Sequence, residues 1–337
     1  ASGSDNASQS ELNVTGSAVK GPVANGVVTA YVIDWEQPDL KGRVIAEGTT
    51  DSEARIQGVA ISTNRAARNV LLEITGGVDL TSGDAPLVSP LRTILNIDSL
   101  STGKLVFATP LSTLAVDLAA EQADIDALSN SNGALVNEAS FIAEVQTSVK
   151  EVFGFGLLDR GVDLFSQPPV ITSNDPEEQA SALDYRAASE AFAAILLDLE
   201  ANGADTNEGL TTIVARDMKD GVVDGMEGGE PINEYATVPD VLDIVTQEPA
   251  DLLIPGTSRP VTEINLVMQE ELTDIGVDAV VDEVQFSEAP ALAVIVPGPD
   301  ADGDLVADIA DDCPQDNTGS KDIDGDGFCE GNDVFPE

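Results

Sequence analysis

Near the carboxyl end of the chain, acidic side chains fall at positions 1, 3, 5, 9 and 12 of two twelve-residue windows, 300–311 and 322–333. The first window carries Asp300, Asp302, Asp304, Asp308 and Asp311; the second carries Asp322, Asp324, Asp326, Glu330 and Asp333. Position 7 is Val306 in one and Phe328 in the other, residues that offer a metal only their backbone carbonyl. Oxygen ligands at this spacing are those of a calcium loop, one ion per window. Five carboxylates packed into so short a run repel one another strongly unless a cation lies between them. A solvated acidic tail is the alternative reading of such a run. It leaves unexplained why the spacing recurs at an offset of 22 residues with a cysteine attached to each copy.

The run Asp300-x-Asp-x-Asp-x3-Asp-x2-Asp-Asp-Cys313-Pro, followed by Asp322-x-Asp-x-Asp-Gly-x-Cys329, resembles a thrombospondin type 3 repeat over residues 297–337. The resemblance implies a calcium-filled, disulfide-tied segment with little regular structure. It implies that Asp300, Asp302, Asp304, Asp311 and Asp312 hold one ion, with Asp308 beside it or bound through water. Asp322, Asp324, Asp326 and Asp333 would hold the second, with Glu330 in the place of Asp308. Two features depart from the usual loop. Leu305 stands where position 6 calls for glycine, and position 12 is the short Asp rather than Glu.

Cys313 and Cys329 are the only cysteines, and both lie within this segment. An even pair in a chain without histidine excludes the common zinc patterns and points to a disulfide, hence to an oxidising compartment. Two free buried thiols in a cytosolic protein are the alternative. Closing a loop of about 16 residues stabilises by roughly 3 kcal/mol. With 61 acidic against 15 basic residues the net charge is −46, yet 42% of residues are hydrophobic, the mark of a folded body with an acidic skin. Such a surface repels nucleic acid and anionic membranes. No apolar run approaches the length of a spanning helix. Ala1-Ser-Gly-Ser reads like the start of a mature secreted chain. The absence of histidine removes Ser-His-Asp and Cys-His catalysis at one stroke. No Gly-rich phosphate loop is present, no catalytic residue is assigned, and an enzyme is not expected.

The elements that carry the acidic segment change character along the chain. Residues 1–10 form a polar arm. Residues 11–108 read as short strands at 12–14, 27–33, 42–46, 56–61 and 69–74, with apolar stretches at 91–95 and 105–108 completing them. Gly16-Ser-Ala-Val-Lys-Gly-Pro-Val-Ala-Asn-Gly26 followed by Val-Val-Thr-Ala-Tyr-Val resembles the opening of the carboxypeptidase-regulatory-like β-sandwich. That resemblance implies an Ig-like structural module and no peptidase activity. Residues 109–296 are mainly helical. Thr109-Pro110 starts a helix carrying Leu111, Leu114, Leu118, Ile125 and Leu128. A second presents Leu135, Ile142, Val145, Val149, Val152 and Phe153 on one face. Asp175-Pro176-Glu-Glu opens a third, stopped at Asn202-Gly203. A fourth is expected over 207–222, shorter ones over 238–247 and 261–272, and strands over 277–286 and 289–296. The fold class is α+β, segregated along the chain: an Ig-like β-sandwich, a helical bundle and a calcium-loop tail.

Asp217, Asp220 and Asp224 form one internal acidic cluster, read as a helix end with a solvated turn rather than a third cation site. Two functions fit the whole. One is a secreted, calcium-stabilised structural protein that assembles with itself into a filament. It would do so through the Leu12–Thr15 arm added to a neighbour's sheet edge, or through head-to-tail docking of the tail. The other is a monomeric surface protein that binds glycans, or hydrolyses them through carboxylates, with the calcium segment as a spacer.

Overall fold

The computed structural model describes residues 11–62 and 68–281, with 286, 290, 292 and 293. Six strands lead off: β1 (Glu11–Asn13), β2 (Gly16–Ala18), β3 (Val23–Ala24), β4 (Val27–Ile33), β5 (Lys41–Thr50) and β6 (Ile56–Gln57). Then come β7 (Ala60–Ser62), β8 (Asn69–Thr75), β9 (Val78–Asp79), β10 (Leu91–Asn96), the short helix α1 (Ile97–Ser101) and β11 (Val106–Ala108). Five of them form an antiparallel sheet in the order β10-β8-β4-β5-β6. Within it, β8 is buried along Asn69–Ile74, because the β-branched and leucine side chains find cover on both faces. Register shifts at Ala30/Tyr31 and Tyr31/Ile33 bend the β4–β5 pair, as bulges do.

The other ladders in this part are two-stranded: β1 with β7, β3 with β9, and β2 in parallel with β11. Gly16, at φ +149°, lets the β2 backbone press against Val106, where a Cβ would overlap the carbonyl. β1 has its partner within the chain, so the Leu12–Thr15 arm, expected to reach a neighbour's sheet, is already engaged at home.

The helices are α2 (Pro110–Gln122), α3 (Ile125–Leu128), α4 (Glu138–Phe153), α5 (Pro176–Ala201), α6 (Leu210–Asp217), α7 (Val241–Val245) and α8 (Ile264–Asp274). Thr109 caps α2 through a reciprocal box with Ser112, and Pro110 sits at the first position. α2 is buried from Pro110 to Ala119, because β10 lies on one side and α4, α5 and α6 on others. Asp175 caps α5 by accepting from the Glu177 and Glu178 amides at 2.9 and 3.3 Å. One contiguous apolar core runs from Val14 in the β part through α2 and α5 to Phe286.

Several expected boundaries shift. Ala123 leaves the helix and Asp124 caps the separate α3, so Ile125 and Leu128 do not continue α2. Leu135 precedes α4 and is 43% exposed rather than inward-facing. The fourth helix spans only 210–217, because Gly209 (φ +92°) precedes it and glycine-rich turns follow. Residues 277–281 carry no strand, and most of 282–296 lies outside the described residues. Among the described residues no helix is long and apolar enough to cross a membrane.

Candidate functional site

All the expected calcium ligands, from Asp300 to Asp333, and both cysteines lie outside the described residues. Among the described residues no group of three or more Cys, Asp or Glu side chains is arranged to hold a metal. The internal acidic cluster shows why. Asp217 Oδ1 accepts the amides of Asp224 and Gly225 at 3.0 and 2.9 Å. Asp220 Oδ1 accepts from Val222 and Asp224 Oδ1 from Met226, each closing a tight turn two residues on. The three carboxylates shape a turn instead of converging. Burial pushes the Asp217 carboxyl up to about 7; its two amide bonds oppose that rise, and the charges of Asp224 and Asp220 add to it. Asp217 Oδ2 and the Tyr235 hydroxyl are both buried without a hydrogen-bond partner among the described residues. Burial, with the Asp217 carboxylate second, holds the Tyr235 phenol well above the usual tyrosine range.

A fully buried group of five charged side chains is one that sequence reasoning did not find. Lys20 follows β2, Asp79 ends β9, Arg186 and Glu190 lie one turn apart on α5, and Glu271 lies on α8. Every one of these side chains is buried. Lys20 Nζ lies 3.3 Å from Asp79 Oδ2 and 3.2 Å from Glu190 Oε2, and donates to the Pro255 carbonyl at 3.1 Å. Arg186 donates through Nε to Glu190 Oε1 at 2.9 Å. Its two terminal nitrogens grip Glu271 at 2.9 and 2.7 Å, and the Thr81 hydroxyl also bonds Glu271. Charges removed from water are tolerable only when paired and hydrogen-bonded in this way. The signal in the sequence was faint: Lys20 follows the apolar pair Ala18-Val19, and Arg186 and Glu190 sit among Leu183, Ala187 and Ala191, which are buried on α5.

A second ionic group, nearer the surface, ties the sheet to the helices. Arg92 on β10 bonds Glu73 at 2.9 Å and Asp117 on α2 at 2.7 Å, while Lys41 reaches Glu73 at 2.7 Å. Burial pushes the Asp117 carboxyl up, and the Arg92 charge pulls it back down.

An open groove of about 960 Å³ lies between the β4–β5 turn and the α3–α4 connection. Asp34, Glu36, Arg43, Asp126 and Asn130 are among its lining residues. Trp35 borders the groove but is only 5% exposed. Its Nε1 donates to Glu138 at 2.9 Å, and its ring meets Phe141 edge-on at 5.5 Å. The indole therefore serves the core and leaves no flat ring for a ligand to stack on.

No family model matches this chain, and no curated protein or solved structure matches it.

Proposed function

We propose that the chain is a secreted, calcium-stabilised, non-enzymatic structural protein of the cell surface or extracellular matrix that joins head to tail with copies of itself. The observation that carries this reading is the twin acidic spacing at 300–311 and 322–333, each copy with its own cysteine. Self-repelling carboxylates that close on calcium turn a weak strip into a stiff connector. A bond between Cys313 and Cys329 would hold the two loops together. In this reading the β part serves as an Ig-like structural module and the helical part as its support. Head-to-tail contacts that do not close into a ring give a filament, and the acidic surface keeps subunits apart until divalent ions neutralise it.

A glycan-binding or carboxylate-dependent hydrolytic role has the groove beside Trp35 in its favour. The inward turn of that indole counts against it, since sugar sites favour an exposed aromatic face.

Chelation tests the structural reading. Treating the full chain with EGTA should lower its melting temperature and disperse any assembly seen by light scattering and negative-stain microscopy, and added calcium should restore both. A chain whose size and melting are indifferent to EGTA would refute it. Replacing Asp302 and Asp324 together with Asn should weaken calcium binding about tenfold or more, ~1.4 kcal/mol at the least, in calorimetric titration. The far-UV signal of the helices should stay unchanged.

A further inference from the structure

We propose that Lys20 and Asp79 condense into an intramolecular amide, with Glu190 moving the protons. The proposal rests on the buried charge group alone and is independent of the calcium reading. Its geometry begins in the β3–β9 ladder, where Val23 pairs with Asp79 and the Leu80 amide donates to the Pro22 carbonyl at 2.9 Å. That ladder brings the turn after β2 alongside the end of β9. Lys20 Nζ then stands 3.3 Å from Asp79 Oδ2 and 3.2 Å from Glu190 Oε2, with all three side chains at most 1% exposed.

Three details separate this arrangement from an ordinary ion pair. First, Asp79 Oδ2 has no hydrogen-bond partner among the described residues although the amine is beside it, so the nitrogen adjoins the carboxyl group without donating to that oxygen. Second, Oδ1 of the same carboxyl accepts the amides of Thr81 and Ser82 at 2.8 and 3.4 Å. Backbone donors in that position stabilise the negative oxygen that develops when a nucleophile adds to the carbon. Third, the acceptors of the amine are Glu190 and the Pro255 carbonyl, which draw protons from the nitrogen rather than tie up the carboxyl. Gly21 makes the approach feasible, because a Cβ there would overlap Asp79 Oδ1.

The step balances without any added reagent. Glu190 takes one proton from the Lys20 ammonium and passes it to Asp79 Oδ2. The freed lone pair adds to Asp79 Cγ, forming the C–N bond. A second proton then leaves the nitrogen through Glu190 to the same oxygen, the C–O bond breaks, and water departs. Nitrogen keeps one hydrogen, Glu190 ends as the carboxylate it began as, and nothing is oxidised or reduced. Holding both partners in contact replaces a bimolecular encounter with an intramolecular one. Loss of two buried opposite charges favours the amide, since each ion is costly to keep out of water. Arg186 remains paired with Glu190 and Glu271 throughout.

Intact mass of the full chain, denatured and reduced, decides the matter. The expected result is a mass lower than the sequence mass by one water, with proteolysis releasing a branched peptide that joins the Lys20 and Asp79 segments. Lys20→Met and Asp79→Ala should each return the full mass, and so should Glu190→Gln with its helical far-UV signal retained. A wild-type chain at full sequence mass would overturn the proposal, whether or not any variant folds. So would a deficit that persists in Lys20→Met or maps to a different residue pair. A deficit retained in Glu190→Gln would remove the role given to that carboxylate.

Discussion

Asp79, at the end of β9, and Asp217, at the end of α6, begin alike. Each is at most 1% exposed, each accepts two backbone amides at Oδ1, and each has no hydrogen bond at Oδ2 among the described residues. Their charge surroundings then part. Asp79 has Lys20 at 3.3 Å, delivered by a distant segment. Asp217 has Arg216 as its sequence neighbour, yet that guanidinium turns to Glu208, Glu227 and Glu234 at 2.9, 3.5 and 2.5 Å. The charges that act on Asp217 are the carboxylates of Asp224 and Asp220, and with burial foremost they drive it toward its neutral form. The same local cradle therefore makes one carboxyl half of a reactive ion pair and the other a proton store. Tertiary placement, not adjacency in the chain, decides which.

The contrast breaks most visibly at Lys20. Lys20→Met leaves Asp79 and Glu190 as like charges in a buried space and should destabilise the chain by about 3–5 kcal/mol. Denaturant unfolding of parent and variant measures it through midpoint and slope together, since a cross-link in the parent limits the surface that its unfolded chain exposes. A loss below about 1 kcal/mol would mean that the pair contributes no more than an exposed one. Asp217 offers no equivalent lesion, because among the described residues it has no counter-ion to remove.

Much of the frame that sets this contrast was legible in the sequence. β4, β8 and β10 lie where apolar runs bounded by Gly, Asn and Asp predict strands, and Thr109-Pro110 and Asp175-Pro176 start their helices as capping chemistry requires. Local signals suffice for such features because cap and strand pattern are satisfied within a few residues. The parallel β2–β11 pair was not legible, since two three-residue strands carry no periodicity and gain their ladder only after the chain has folded. Nor was the Lys20 group: Lys20, Asp79, Arg186, Glu190 and Glu271 each look solvated in a chain with 61 acids, and only packing shows otherwise. Asp217 was singled out as part of an acidic turn, but its burial and its lone Oδ2 arise only in the folded chain.

Asp217→Asn sharpens the comparison from the other side. Its folded pKa of about 7 stands above an ordinary value of 3.8, so the native chain keeps a proton that the unfolded chain releases. Stability contributed by that proton is present below about pH 4 and is lost as pH rises through about 7. Asparagine keeps an Oδ1 acceptor for the Asp224 and Gly225 amides and cannot ionise. The variant should match the parent near pH 4 and exceed it by ~2–3 kcal/mol at pH 8, since each tenfold difference in proton affinity between folded and unfolded chain is worth at most about 1.4 kcal/mol. Melting curves of both proteins across this range check it, because the remaining carboxylates are common to the two. Parallel curves would show that Asp217 does not carry the difference.

The smallest expected effect lies at Tyr235, whose hydroxyl is buried beside the same carboxyl without a hydrogen bond. An orphaned polar group gains nothing in the fold while losing its water in the process, so deleting it is close to neutral or mildly stabilising. Tyr235→Phe should therefore change stability by less than about 1 kcal/mol, and not downward. A bridging water between the hydroxyl and Asp217 Oδ2 would give the opposite sign, a loss of ~1–3 kcal/mol, since that water satisfies both groups. Combining Tyr235→Phe with Asp217→Asn separates the two cases. Independent orphans give additive effects, whereas a shared water couples them by more than about 0.5 kcal/mol. Additivity would show that the Tyr235 hydroxyl and the Asp217 carboxyl act independently, in contrast to Asp79 with the Lys20 amine at 3.3 Å.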